Sequence, residues 1–138
     1  MSRLEGVEPM NYHQRINLPY RYTAGEANTD FLRSLENGRI LGSRCEACDA
    51  VLVPARPFCP TCSGRTGDRV EVAGTGEIVS HTTDPNGAVV ALIRLDGTST
   101  SFPHRVVGGD VRTGMRVQAR FSSAPAAEIT AIEAFEPI

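Results

Sequence analysis

The stretch CEACDAVLVPARPFCPTC, residues 45–62, holds all four cysteines of the 138-residue chain as Cys45-Glu-Ala-Cys48 and Cys59-Pro-Thr-Cys62, with ten residues between the pairs. Two C-x-x-C pairs at this separation have zinc-ribbon spacing. Each C-x-x-C turn points two sulfurs toward one spot, and the free backbone N–H groups of the turn stabilise thiolate charge. Two such turns at the ends of a hairpin complete a tetrahedron. The expected metal is zinc, with iron as the alternative, because four thiolates alone do not choose between them. All four positions are taken by protein sulfur, so no site is left for water or substrate and the metal is expected to be structural. Two other readings are weaker. A pair of disulfides is uncommon in a reducing compartment, and a thioredoxin-type redox pair needs one C-x-x-C on a βαβ frame that this pattern lacks.

C-terminal to the cysteines the chain changes character. Short β-like runs at Val70–Val72, Glu77–Thr83, Ala88–Leu95, Thr98–Phe102, Met115–Phe121 and Ile129–Phe135 are separated by GTG, DPNG, DG and GGDVRTG. Five or six short strands in about 70 residues suit a small closed barrel, of which the OB-fold is the five-stranded Greek-key form. On the N-terminal side, TAGEANTDFLRSLENG (residues 23–38) reads as one short helix, with Ala27, Phe31 and Leu35 at i, i+4, i+8 and Gly38 as a left-handed stop. Before it, residues 1–22 show neither period, and they are expected to form an extended, poorly anchored arm. Pro54, Pro57 and Pro60 rule out a continuous helix through the cysteine region.

Composition narrows the function. All 14 basic residues are arginine, which removes Schiff-base lysines, lysine general bases and P-loops. The net charge of -2 and the 8 aromatics without tryptophan disfavour general nucleic-acid binding. No apolar run is long enough to span a membrane, and the opening MSRLEGVEPMNYHQ has no apolar signal core, so a cytoplasmic location is expected. There is no G-x-S-x-G, H-E-x-x-H or helix-opening G-x-G-x-x-G, and no cysteine is left over for a nucleophile. His81 and His104 read mainly as strand packing or surface residues, with His104 beside Arg105 the better placed to meet an anion. Charge is concentrated in residues 85–120, where Arg94, Arg105, Arg112, Arg116 and Arg120 face only Asp96 and Asp110. Such a block is either a solvated barrel face or a contact for a phosphate-bearing ligand such as coenzyme A.

The run PYRYTAGEANTDFLRSLENGRILGSRCEACDAVLVPARPFCPTC, then GTGEIVSHTT, LIRLDG and RTGMRVQARF, resembles the thiolase-associated proteins that join a rubredoxin-like zinc ribbon to an OB-fold, long catalogued as a domain of unknown function. The resemblance covers about residues 17–138 and lies in the order of helix, L-x-x-G-R-I-x-G-x-R-C, P-A-R-x-F-C-P-x-C and G-x-G-x-I-x-S-x-T. It implies a non-catalytic accessory subunit of a hetero-oligomer with a thiolase-superfamily enzyme, which makes or breaks carbon–carbon bonds in acyl-CoA thioesters of lipid, steroid or related metabolism. The partner would carry the catalytic groups, and a coenzyme A thioester would lie at the interface. Carried over residue by residue, Cys45, Cys48, Cys59 and Cys62 match the metal ligands and Ala24 to Leu41 the docking segment. Where the family usually has glycine after the first C-x-x-C, this chain has Asp49, a residue that tolerates a left-handed turn.

The expectation is therefore a mainly β chain with a short N-terminal helix, divided into an arm and docking helix (1–43), a rubredoxin-like zinc ribbon (44–68) and a five-stranded OB-fold barrel (69–138). The Phe31/Leu32/Leu35 face of the short helix must pack either on the chain's own core or on a partner; on the second reading, docking is expected through Tyr20, Tyr22, Phe31, Leu32, Leu35 and Ile40. Acyl-CoA or phosphate contacts are expected from Arg94, His104, Arg105, Arg112 and Arg116. A nucleic-acid-binding ribbon and barrel module, a rubredoxin-like electron carrier and a stand-alone acyl-CoA enzyme are the competing readings.

Overall fold

Ala27, Phe31, Ser34 and Leu35 recur at helical spacing, and the computed structural model, which describes residues 6–138, buries them together on one face of helix α1 (Gly25–Glu36). The helix stops where Gly38 takes φ 66°. The Gly38 N–H then reaches Leu35 O at 3.1 Å and the Arg39 N–H reaches Ser34 O at 3.1 Å, which satisfies carbonyls that the helix end would otherwise leave open. The buried Ser34 hydroxyl donates to Phe31 O at 2.6 Å and accepts the Leu41 N–H at 3.2 Å, so the helix is tied to the strand that follows.

That strand, β1 (Ile40–Cys45), is central in a three-stranded antiparallel sheet with β2 (Val51–Leu52) and β3 (Thr66–Val72) on either side. Gly42 permits the pairing, since a Cβ there would lie 2.6 Å from Leu52 O. The wholly buried Ser43 hydroxyl takes both backbone groups of Arg56, accepting its N–H at 2.9 Å and donating to its carbonyl at 3.0 Å. The cysteine region thus contains a sheet as well as knuckled loops. Val70–Val72, expected to open the barrel, instead completes this sheet beside β1.

The remaining strands are β4 (Thr75–Thr83), β5 (Val89–Leu95), β6 (Phe102–Val106), β7 (Arg116–Phe121) and β8 (Ile132–Pro137). They close in the order β4-β5-β6-β8-β7 with β7 back on β4, and the β6–β8 seam is parallel through Val106 and Phe135. This is the Greek-key, five-stranded closure that the turn pattern predicts. The run expected at Thr98–Phe102 becomes a strand only from Phe102, because its first hydroxyls bond elsewhere. Thr98 Oγ1 donates to Leu95 O at 2.7 Å and closes a turn. Thr100 Oγ1 accepts the Val53 N–H at 2.9 Å and donates to Val53 O at 3.0 Å, while the Ser99 N–H reaches Val51 O at 2.8 Å. The β5–β6 loop thereby covers the β2 border and fastens the sheet to the barrel.

One hydrophobic core serves both parts. Ala27, Phe31 and Leu35 of α1, Ile40 and Val53 of the sheet region, and Ile78, Ile93, Val117, Ile132 and Phe135 of the barrel belong to a single buried cluster. Full burial of one such side chain contributes about 1.5–3 kcal/mol. No helix among the described residues is long and apolar enough to cross a membrane.

Candidate metal centre and the surfaces around it

The two C-x-x-C turns fold alike. In the first, the Cys45 N–H bonds Ala50 O at 2.8 Å and the Asp49 N–H bonds Cys45 O at 3.0 Å. In the second, the Cys59 N–H bonds Gly64 O at 2.9 Å and the Ser63 N–H bonds Cys59 O at 3.0 Å. Each turn needs a left-handed residue just after its second cysteine, and Asp49 (φ 59°) and Ser63 (φ 62°) supply it. The tolerance expected of Asp49 is thus realised, while the matching demand on Ser63 carries no sequence signal as strong as a glycine.

The four sulfurs meet with every pair within 4.8 Å. Cys45–Cys62, Cys48–Cys62 and Cys48–Cys59 Sγ separations are 3.4, 3.6 and 3.7 Å. A tetrahedral ion with metal–sulfur bonds of 2.3 Å requires edges of about 3.8 Å. A disulfide requires about 2.05 Å, and all four cysteines are free. Cys45 and Cys59 are buried and Cys48 and Cys62 exposed, so each turn gives one inner and one outer ligand. The Cys48 and Ala47 N–H groups pull the Cys45 thiol down, and those of Cys62 and Thr61 pull Cys59 down to about 6. At Cys48 the Ala50 N–H also favours the thiolate, but the sulfurs of Cys45 and Cys62 outweigh it and push the thiol up to about 12. Cys62 is raised as well, its Gly64 N–H outweighed by the Cys45 sulfur together with burial and Cys59. Four thiolates this close cannot all ionise without a cation among them, and a bound metal would be that cation. The donor set, spacing and N–H supply fit a structural metal held by Cys45, Cys48, Cys59 and Cys62. Space around the cage is limited, since a Cβ at Gly64 would lie 3.2 Å from both Cys45 and Cys62 Sγ.

The family model for the ChsH2 rubredoxin-like zinc ribbon domain matches residues 34–67, the segment that contains both turns. A solved structure described as the Ltp2-ChsH2(DUF35) aldolase is similar over 85% of this chain and 98% of that one, with 26% identity and a TM-score of 0.64. This chain joins a segment that matches the rubredoxin-like zinc ribbon model to a closed five-stranded barrel, and its fold is similar to that of the DUF35 structures. A DUF35-family protein of unknown function from Sulfolobus solfataricus shares the fold, with 22% identity, a TM-score of 0.65, and 83% of this chain and 87% of that one covered. Among curated proteins, the "Probable enoyl-CoA hydratase alpha subunit" of Thermomonospora curvata is 35% identical over an 80-residue alignment that covers 51% of this chain and 25% of that protein. The match spans about a quarter of that relative's length.

The other expected site residues fall in different environments. The docking expectation is corrected at Phe31, Leu35 and Ile40, which are 2%, 0% and 2% exposed and already partnered by the chain's own core. Leu32 packs partly against that core, whereas Tyr20 and Tyr22 are exposed. The expected arginine cluster also divides. Arg94 pairs with Glu77 across β4 and β5. Arg116 grips Asp96 with two hydrogen bonds, 2.7 and 2.5 Å. Arg105 and Arg112 have no ion-pair partner among the described residues. His104 does not share an outward anion site with Arg105. Alternation along β6 sends Phe102, His104 and Val106 inward, and the His104 ring lies edge-on to Phe102 and Phe135 at 6.4 and 5.3 Å. His81 is exposed on β4, opposite Ala91.

One feature escaped the sequence reading. A groove of about 480 Å³ lies where the start of α1 meets the second knuckle, lined by Ala24, Gly25, Phe58, Arg65 and Arg69 among others. Phe58 is 55% exposed there. Its flanking Pro57 and its place just before Cys59 were the available signals, but they mark a turn and not a surface.

Proposed function

We propose that the chain is an accessory subunit of a thiolase-superfamily enzyme complex that acts on acyl-CoA thioesters, holding its partner in a stable assembly and lending surface to the acyl-CoA channel. The observation that carries this reading is the similarity, over 98% of its length, to the chain of the structure described as the Ltp2-ChsH2(DUF35) aldolase. The curated relative named as an enoyl-CoA hydratase subunit points to the same substrate class. The metal is zinc, bound by Cys45, Cys48, Cys59 and Cys62, and it supplies folding free energy, not chemistry. Catalytic groups come from the partner, in a cytoplasmic complex. On this chain Arg105 and Arg112, free of ion pairs among the described residues, are the cations offered to coenzyme A phosphates.

The test is to express the enzyme that purifies with the tagged chain both alone and together with it, and to measure turnover of acyl-CoA thioesters. The expected result is a soluble, active enzyme only in the joint preparation, and no turnover by the chain by itself. Full solubility and activity of the enzyme without the chain would overturn the proposal.

A further inference from the structure

Residues 6–23 reach α1 without helix or strand, and residues 6–22 are exposed throughout. No backbone hydrogen bond joins them to the remaining described residues. A segment that exposes many apolar side chains together marks an interaction site. This one presents Val7, Met10, Tyr12, Ile16, Leu18, Tyr20 and Tyr22, each at least 63% exposed. The arm as a whole has no period, as expected from its sequence, but its last seven residues, Ile16-Asn17-Leu18-Pro19-Tyr20-Arg21-Tyr22, alternate strictly with a period of two. In extended chain that period puts the four apolar side chains on one face and Asn17, Pro19 and Arg21 on the other.

The backbone obeys the same period. Alternate residues turn both N–H and C=O to the same neighbouring strand, so residues 16, 18, 20 and 22 serve one edge and residues 17, 19 and 21 the other. Pro19 has no N–H and falls in the second set. One edge is therefore complete across the segment, and the other is interrupted at its centre. A strand added to the border of a sheet needs this polarity, with the complete edge inward and the blocked edge toward solvent.

We infer that residues 16–22 dock as an added edge strand on a free sheet border of the chain's enzyme partner, with Ile16, Leu18, Tyr20 and Tyr22 seated on an apolar shelf beside that border and Pro19 facing outward. The inference rests on the proposed function for the nature of that partner. The strand spans about 20 Å, main-chain hydrogen bonds give it affinity, and pockets for alternate side chains give it specificity. Arg21 lies with Asn17 and Pro19 on the face away from the shelf, and Arg15 precedes the strand on the same side, so acidic residues at the solvent rim of the acceptor complement them. The chain's own sheets offer less. The barrel is closed, and the β2 border is covered by the β5–β6 loop. The outer border of β3, in this copy or a second one, is the remaining acceptor, and the test separates it.

The test measures binding of full-length chain variants to the acyl-CoA enzyme recovered with the tagged chain. Leu18→Pro and Tyr20→Pro remove an N–H from the complete edge, Asn17→Pro and Arg21→Pro remove one from the blocked edge, and Leu18→Ala and Tyr20→Ala control for lost side chains. The expected pattern is that proline at 18 or 20 weakens binding about tenfold beyond the matching alanine, while proline at 17 or 21 stays within about threefold of the unaltered chain. Equal effects at odd and even positions would overturn the inference. So would variants that change self-association of the isolated chain but not enzyme binding, which would assign the arm to β3. An enzyme that binds as tightly after deletion of residues 1–22 overturns the arm's role and leaves the proposed function standing. Failure of any acyl-CoA enzyme to bind the full chain overturns both.

Discussion

Thr100→Val exchanges a hydroxyl for a methyl of similar size at the point where the sheet is fastened to the barrel. Thr100 Oγ1 accepts the Val53 N–H at 2.9 Å and donates to Val53 O at 3.0 Å, and Val53 is 0% exposed. Losing the hydroxyl strands one donor and one acceptor away from water. A buried unsatisfied group costs about 1–3 kcal/mol, so the pair costs about 2–4 kcal/mol with partial relaxation. Against the usual 5–15 kcal/mol of a domain this is a large fraction. At about 3 °C per kcal/mol for a chain of this size it lowers Tm by about 6–12 °C. Thr100→Ser keeps the hydroxyl and loses only a methyl, so it should cost about 1 kcal/mol or less. The assay is thermal unfolding followed by circular dichroism on metal-loaded protein. A Val variant that melts with the unaltered chain would refute the hydroxyl clamp. A Ser variant that falls as far as Val would show that the methyl, and not the hydrogen bonds, holds the junction.

Cys59→Ser removes an inner ligand and should abolish stoichiometric metal in the purified protein while unfolding at least residues 40–72; full metal retention with an unchanged Tm would contradict the cage. Gly64→Ala places a methyl 3.2 Å from two of the sulfurs and should weaken metal affinity by about tenfold or more, read by chelator competition. Phe31→Asp, with Phe31 2% exposed, should unfold the isolated chain, since it puts an unpaired charge in the shared core; a folded variant defective only in partner binding would return the residue to a docking face. The Asp96 carboxyl is held at about 2, below its ordinary 3.8, first by the hydrogen bond from Arg116 and then by that from Thr75. Its folded value lies below the unfolded one, so the contribution to stability is complete above pH 3.8 and is lost as pH falls through about 2. In an NMR titration Arg116→Ala should move Asp96 back toward 3.8, and an unmoved midpoint would contradict the pairing.

What was legible in the sequence was chemistry carried by local spacing. The four cysteines, the left-handed residue at Asp49, the Gly38 stop and the barrel turns all act within a few residues, and each lies where the pattern puts it. Features built from distant pairings were not legible. The strand β1 is buried on both sides and contains Gly42 and Ser43, so it shows no alternation. Val70–Val72 looks like any other strand, and only its register against β1 assigns it to the ribbon sheet. Arg94 and Arg116 look free along the chain because Glu77 and Asp96 lie 17 and 20 residues away. The apolar face of α1 is equally suited to a partner or to the chain's own core, and only three-dimensional packing decides for the core. Tyr20 and Tyr22, by contrast, remain exposed.

The accessory role requires a partner. Native mass spectrometry of the complex purified through a tag on this chain, from its own cells, tests it most directly. The predicted result is an assembly of integral stoichiometry in which the chain carries one zinc and is joined to a thiolase-superfamily subunit. Recovery of the chain alone, or with nucleic acid in place of an enzyme, would contradict the accessory role and leave the likeness one of fold.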